Sequence, residues 1–167
     1  ANIVYSLGKL HYEFRKNGKL YAFIGVNINK AFGYPFKTHH WYMISLVYSS
    51  FDKKLDLYVN GEPVESIELD HAMTVNISGD TYLGGNPYGE RLFYGRMDEF
   101  RLWNRKLTLE EIRNGYLSEL SEIKDGLLLY FNFNEMVGNQ IKAKVGKKMI
   151  LTYNDLRSVR PEMPRFG

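Results

Sequence analysis

The sequence predicts an all-β protein with an antiparallel sandwich or jelly-roll architecture. Apolar and polar residues alternate through much of the first hundred positions, which is the period of strands with one buried face. Turn residues, including Asn17-Gly18 and Asn60-Gly61, separate these segments at short intervals. Aromatic residues make up 15% of the 167-residue chain, and their flat rings suit packing on pleated sheets.

The first predicted hairpin turns at Asn17-Gly18, a pair that accepts the positive φ angles of a tight turn. The incoming strand has two distinct faces, with Leu10, Tyr12 and Phe14 on one and His11, Glu13 and Arg15 on the other. Residues 20–26 form the returning strand. The pattern predicts a half-buried strand whose second face is polar.

A second hairpin is predicted around Asn60-Gly61. Before this turn, residues 40–48 form an apolar strand, and Leu55, Leu57 and Val59 alternate with polar or amphipathic neighbours. Strands over residues 64–69, 74–77 and 81–83 follow, then a glycine-rich loop over 84–89 and a strand over 92–103. So many short strands favour a two-sheet fold.

One helix is predicted, from residue 109 to residue 120. Thr108 is its N-cap and Glu111 lies three residues on, so the two form a capping box. An apolar stripe along the helix predicts packing against a sheet edge; its members are Leu109, Ile112, Tyr116 and Leu120. A buried strand over 126–133 and a last strand over 148–153 complete the chain.

Composition and charge indicate one globular domain over residues 1–167, with an extended basic tail over 154–167. The net charge is +3, and residues 136–167 carry seven Lys and Arg against two acids. This region lacks interleaved aromatic residues, so we interpret it as solvated and expect no nucleic-acid partner. The absence of Cys excludes a disulfide scaffold, and no apolar stretch is long enough for a membrane helix. Without an initiator Met or a targeting segment, the chain reads as an excised fragment.

Four segments in order resemble the laminin-G-like and pentraxin-like branch of the concanavalin A-like lectin/glucanase superfamily. They are WYMISLVY from Trp41, LDLYVNG from Leu55, YLGG from Tyr82, and GRMDEFRLWNRKLTLEEI from Gly95. The last is the most specific, because it is similar to the family ending G-x-[IM]-D-E-x-R-[IL]-[WY]-N-R-x-L-[ST]-x-x-E-I. The resemblance implies a two-sheet antiparallel jelly-roll sandwich with one short helix after the strand over residues 95–104.

The chain departs from this family in two respects. Members usually begin with a further pair of strands, which we expect either to have been lost or to be replaced by the strand over 127–133. Pentraxins bind calcium through a run of Glu, Gln and Asp, whereas residues 84–91 contain one acid, Glu90. Because calcium needs several oxygen ligands, we expect no calcium site of that kind and no other cofactor, although the metal requirement stays open.

Residues in loops are the candidates for a sugar site, since binding residues concentrate in loops. The candidates are Tyr34, Phe36, Asn86, Tyr88, Arg91 and Tyr94. Exposed rings could stack on a pyranose while Asn and Arg bind its hydroxyls. The alternative, that these rings pack the loops onto the sheets, fits the sequence equally well.

A catalytic site is less well supported, because a glycosidase needs two carboxylates that flank the scissile bond. The nearest candidate pairs Glu68 and Asp70 on one strand face, but Glu65 points to the other, so we interpret these as solvent-facing charges. Asp98 shares strand parity with core residues, which favours a carboxylate that clamps main-chain amides of a loop over the alternative of a catalytic acid.

The face opposite Asp98 carries Glu99, Arg101 and Trp103. These residues could form a ligand surface, and the alternative is an ion pair under the helix. Trp41 and Trp103 both occupy positions that belong to the core in the resembled family.

The sequence therefore supports three functions. The first is a non-catalytic glycan-binding module of an extracellular or cell-surface protein. The second is an adhesion or scaffolding domain whose partner is a protein or the rest of its own longer chain. The third, disfavoured by the missing acidic cluster, is a glycoside hydrolase or lyase of the same fold.

Overall fold

The computed structural model describes residues 2–7, 10–24, 28–72, 81–85, 91–116, 118–146 and 150–152. The chain divides into two compact units, Ala1–Tyr94 (the N-terminal unit) and Gly95–Gly167 (the C-terminal unit). The strand predicted over 74–77, the site residues Asn86 and Tyr88, and the tail over 154–167 lie outside the described residues. The single domain over 1–167 stays a prediction.

The described part of the chain contains twelve strands and one helix. In chain order they are β1 Asn2–Leu7, β2 Leu10–Phe14, β3 Leu20–Ile24, β4 Ile28–Ala31, β5 Ile44–Ser49, β6 Lys54–Val59, β7 Glu62–Glu68, β8 Thr81–Leu83, β9 Phe100–Trp103, α1 Leu109–Gly115, β10 Leu127–Phe131, β11 Gln140–Lys142 and β12 Ile150–Thr152.

The N-terminal unit contains a five-stranded antiparallel sheet in the order β4-β3-β2-β1-β8. Its first hairpin turns at the predicted place, although only Gly18 of the Asn17-Gly18 pair has a positive φ, +74°. The Gly18 amide donates a hydrogen bond to Arg15 O at 2.9 Å. Leu20 and Ala22 of β3 are buried, as is Tyr12 of β2. Strand alternation therefore leaves Glu13 and its neighbours on the other face of this sheet.

A second sheet of the N-terminal unit has the order β5-β6-β7. The predicted alternation along β6 is confirmed, since Leu55, Leu57 and Val59 are buried while the residues between them are partly exposed. The turn at Asn60-Gly61 is also confirmed, because both residues have positive φ, +53° and +83°.

A loop contact joins these two sheets. Phe32, which follows β4, is fully buried, and its amide donates to Leu20 O at 2.9 Å. The next amide, that of Gly33, donates to Glu65 Oε2 on β7 at 2.6 Å. Glu65 is partly exposed, and its carboxylate fixes the start of the loop that leads to Trp41.

In the C-terminal unit, β9 and β10 form an antiparallel ribbon, and β11 pairs with β12. Strand β9 starts at Phe100, later than predicted, because Glu99 has a left-handed φ of +51° that interrupts extended backbone. The alternation of side chains between the two faces of β9 does not therefore extend back to Asp98.

The capping box of α1 is confirmed by the mutual hydrogen bonds of Thr108 and Glu111. The helix ends at Gly115 rather than at residue 120, because glycine is a poor helix former and Ser118 Oγ donates to Asn114 O at 2.8 Å. Ile112 is its buried residue.

Candidate ligand-binding site

The polar face of β2 carries a buried carboxylate. Strand alternation places His11, Glu13 and Arg15 on this face, and pairing with β3 sets Tyr21 opposite Glu13. Glu13 is only 1% exposed, although a lone buried charge is strongly unfavourable. It must therefore be compensated by neighbouring cations.

Two arginines and a histidine surround Glu13. Arg15 Nε donates to Oε1 at 2.7 Å, His11 Nε2 lies 3.0 Å from Oε2, and Arg91 Nη1 lies 3.6 Å from Oε2. Burial by itself would raise the pKa of Glu13, but the hydrogen bonds from Arg15 and His11 outweigh it and lower the pKa below the ordinary value. Glu13 is therefore a permanent anion at neutral pH.

Arg15 is held from two directions. Its guanidinium carbon lies 4.1 Å from the centre of the Tyr21 ring and 5.3 Å from that of Phe23, both within cation–π range. The Tyr21 hydroxyl in turn accepts a hydrogen bond from Asn17 Nδ2 at 2.9 Å. The turn residue, the aromatic ring and the buried carboxylate together fix the orientation of the guanidinium.

These groups line an open concavity of about 560 Å³, which we call the Glu13 pocket. Its lining residues are Glu13, Arg15, Lys16, Asn17, Tyr21 and Arg91. The volume lies in the range of small-ligand sites. The lining contains three permanent cations and one carboxylate, so the pocket presents a surplus of positive charge and of hydrogen-bond donors.

The structure separates the predicted site residues onto different faces. Arg91 lines the Glu13 pocket, whereas the Phe36 ring packs edge-on against Phe14, 5.1 Å between ring centres. Phe14 follows Glu13 in β2 and so points to the opposite face of the sheet. Asn86 and Tyr88, which precede Arg91 in the sequence, lie outside the described residues.

Tyr34 and Phe36 are half-buried in an aromatic cluster with Tyr42, at ring distances of 4.7 to 6.3 Å. These contacts are the loop packing that the sequence left open as the alternative to a sugar platform. Tyr94 differs, because its side chain is 85% exposed and can reach a ligand. Whether any of these residues binds sugar stays a prediction.

Sequence reasoning missed the members of the Glu13 pocket other than Arg91. The available signal was an acid with a base two residues to either side, His11 and Arg15, which places all three on one strand face. Such a triplet also occurs on solvated strands. Only the burial of Glu13 in the folded structure distinguishes this triplet from one on a solvated strand.

In the C-terminal unit, Arg101 forms an ion pair with Glu99 and is not part of an open ligand surface. The Arg101 side chain is 6% exposed, and it donates to Gly115 O at 3.1 Å and Ser118 O at 2.6 Å, beneath the end of α1. Tyr130 OH lies 3.0 Å from both Glu99 oxygens, and burial together with this carboxylate raises the pKa of Tyr130 to about 12. These contacts are those of a structural clamp.

Asp98 accepts a hydrogen bond from the Glu99 amide at 2.9 Å, so its described main-chain contact is with its own neighbour. Burial raises the pKa of Asp98 above the ordinary value. Trp41, expected in the core, is 39% exposed, whereas Trp103 is partly buried with the Arg105 guanidinium 5.4 Å from its ring centre.

No metal centre is found in the described part of the chain. No group of three metal-binding side chains occurs there. The Glu68 side chain is 84% exposed and Asp70 is also exposed, as predicted for surface charges. Among the same residues, no helix has the length and apolar character needed to cross a membrane.

Comparison with known proteins gives both a family and a fold. A solved structure with a similar fold is that of a proposed carbohydrate-binding protein from Bacteroides ovatus, with 24% identity and a TM-score of 0.71 over 92% of this chain and 50% of that one. An S-layer domain-containing protein from Clostridium thermocellum matches at 22% identity and a TM-score of 0.38 over 63% of this chain and 54% of that one. This chain thus spans about half the length of the solved chains it matches.

No curated protein matches the chain. The sequence profile of the Laminin G 3 family, described as the concanavalin A-like lectin/glucanases superfamily, matches residues 3–113. The predicted all-β class and the predicted resemblance are confirmed. Because this match covers well over half of the chain, the protein belongs to the concanavalin A-like lectin/glucanase superfamily.

Proposed function

We propose that this chain is a non-catalytic carbohydrate-binding module whose ligand occupies the Glu13 pocket. The observation that carries the proposal is the convergence of Arg15, Lys16, Asn17 and Arg91 on one open concavity. Their N–H groups suit the oxygen atoms of a sugar. Membership of a lectin and glucanase superfamily supports the proposal, as does the description of the Bacteroides ovatus protein.

Binding without hydrolysis is favoured by the state of the carboxylate. Glu13 is the one acid among the described lining residues of the pocket, whereas glycosidases use a pair of carboxyl groups. Its lowered pKa also removes the proton that a general acid would have to donate. Glu13 acts instead as an anchor that orients Arg15 and Arg91.

Tyr94, three residues after Arg91, is exposed, and we propose it as a further sugar contact. Asn86 and Tyr88, also predicted as sugar contacts, lie outside the described residues. We place the module on an extracellular or cell-surface protein that captures glycans without a cofactor. The adhesion function, with a protein partner or another part of the parent chain, is the alternative.

A glycan-array screen tests the proposal, run with calcium and again with a chelator. We expect retention of glycans in both conditions and its loss in Arg91→Ala, with Lys124→Ala in the C-terminal unit as the control. Both side chains are about half exposed, so neither change should unfold the protein. If the folded protein binds no glycan in either condition, the adhesion function is favoured. If glycan binding is lost only when the chelator is present, the protein has a calcium site.

A further inference from the structure

We propose that the glycan held in the Glu13 pocket is acidic, with a carboxylate or sulfate group bound between Arg15 and Arg91. This inference rests on the proposed function and specifies its ligand class. The two classes of anion share the chemistry that matters, an oxygen group that only accepts hydrogen bonds.

The charge of the pocket is the first argument. Arg15, Lys16 and Arg91 contribute three positive charges, and Glu13 contributes one negative charge. His11 Nε2 also lies 3.0 Å from the same carboxylate. The carboxylate is thus more than neutralised, and the surface of the pocket attracts anions.

Exposure of the cations is the second argument. Glu13 is buried, whereas the side chains of Arg15 and Arg91 are 38% and 55% exposed. A ligand therefore meets the guanidinium groups before it meets the carboxylate. Because Glu13 lies behind them, it stabilises the two arginines without occupying the mouth of the pocket.

Preorganisation is the third argument. Arg15 is fixed by its hydrogen bond to Glu13 and by the Tyr21 ring, so ordering it costs a ligand little conformational entropy. A guanidinium held in this way can still present further N–H donors, since only Nε points to Glu13. A planar carboxylate or a sulfate matches that arrangement, whereas a neutral hydroxyl uses one donor at a time.

Matched polysaccharides test the inference. Affinity electrophoresis would compare polygalacturonate with its methyl ester, and dextran sulfate with dextran, at low and at moderate salt. We expect the protein to bind at least one acidic member about tenfold more tightly than its neutral counterpart, since a charge-assisted hydrogen bond is stronger than a neutral one. The uronate and sulfate arms identify which anion is bound.

Variants locate the effect. Lys16→Gln and Arg91→Gln should each weaken binding to the acidic polymer, while Lys124→Gln and Arg113→Gln, which remove the same charges from the C-terminal unit, should leave it unchanged. Equal losses in all four would show diffuse electrostatic attraction and overturn the inference. Equal binding of acidic and neutral polymers would also overturn it but leave the proposed function intact, and no binding to any polymer by the folded protein would overturn both.

Discussion

Arg105 and Glu111 form a two-point ion pair, with Arg105 Nη1 and Nη2 donating to the two carboxylate oxygens at 2.9 and 2.7 Å. The same carboxylate accepts from the Thr108 amide at 2.8 Å and completes the capping box of α1. Arg105 Nε also donates to Asp125 O at 2.8 Å. One glutamate therefore joins the helix start to the segment before β10, and the specific family ending includes both members of the pair.

Glu111→Gln should destabilise the protein by about 0.5 to 1 kcal/mol, because it removes the charge from a partly exposed two-point ion pair and weakens the capping box. Glu110→Gln, in the same first turn, is the matched control and should change the unfolding free energy by less than about 0.5 kcal/mol. Urea unfolding followed by circular dichroism measures both. Equal effects would show that helix-dipole charge, rather than the Arg105 pair, is responsible.

The contribution of Glu111 to the free energy of unfolding should depend on pH. The hydrogen bond from Arg105 and that from the Thr108 amide lower the pKa of Glu111 to about 2, against 4.5 in the unfolded chain. A carboxyl group whose pKa is lower in the folded state stabilises the fold at pH values above its unfolded-state pKa. This stabilisation is lost as the pH falls toward the folded-state pKa. The difference in unfolding free energy between wild type and Glu111→Gln should be constant above about pH 5 and shrink between pH 4.5 and 2. A difference that does not vary across this range would contradict the assignment.

Gly126→Ala should be costly for two reasons. Gly126 has a φ of +80°, and a Cβ there would lie 2.9 Å from Arg105 Cγ and from Asn104 Oδ1. Gly138 has a φ of +61° with nothing within 4 Å, so Gly138→Ala carries the conformational cost alone. We expect about 1 kcal/mol for Gly138→Ala and at least about 1 kcal/mol more for Gly126→Ala, measured by denaturant unfolding. Equal losses of unfolding free energy in the two variants would show that the Arg105 side chain moves away from the added Cβ without cost.

Glu13→Gln should destabilise the N-terminal unit by about 2 kcal/mol or more, because it leaves the cations around position 13 without their buried counter-charge. Glu68→Gln is the matched control, since Glu68 also contacts a cation, Lys54 at 3.6 Å, but is exposed. Surface pairs contribute little, so this control should change stability by less than about 1 kcal/mol. Thermal unfolding of both variants checks the prediction, and a stable Glu13→Gln protein would contradict the role of Glu13 as an anchor.

The sequence by itself determined those features whose physics is local. The turns at Asn17-Gly18 and Asn60-Gly61 follow from residues that accept positive φ, and the alternation along β6 follows from the two-residue period of a strand. The capping box needs only residues three apart. These were predicted correctly because each depends on neighbours in the chain.

Only the tertiary structure decided which charges are buried and what compensates them. The acid of β2 is indistinguishable in sequence from a solvated one until β3 places Tyr21 opposite it and a distant segment brings Arg91 within 3.6 Å. Likewise, Arg101 forms a clamp because the Gly115 carbonyl at the end of α1 and the Ser118 carbonyl after it both accept its hydrogen bonds. The desolvation of a side chain depends on which groups shield it from water. Those groups are brought there by the register between strands and by loops distant in sequence, not by the residue's neighbours in the chain.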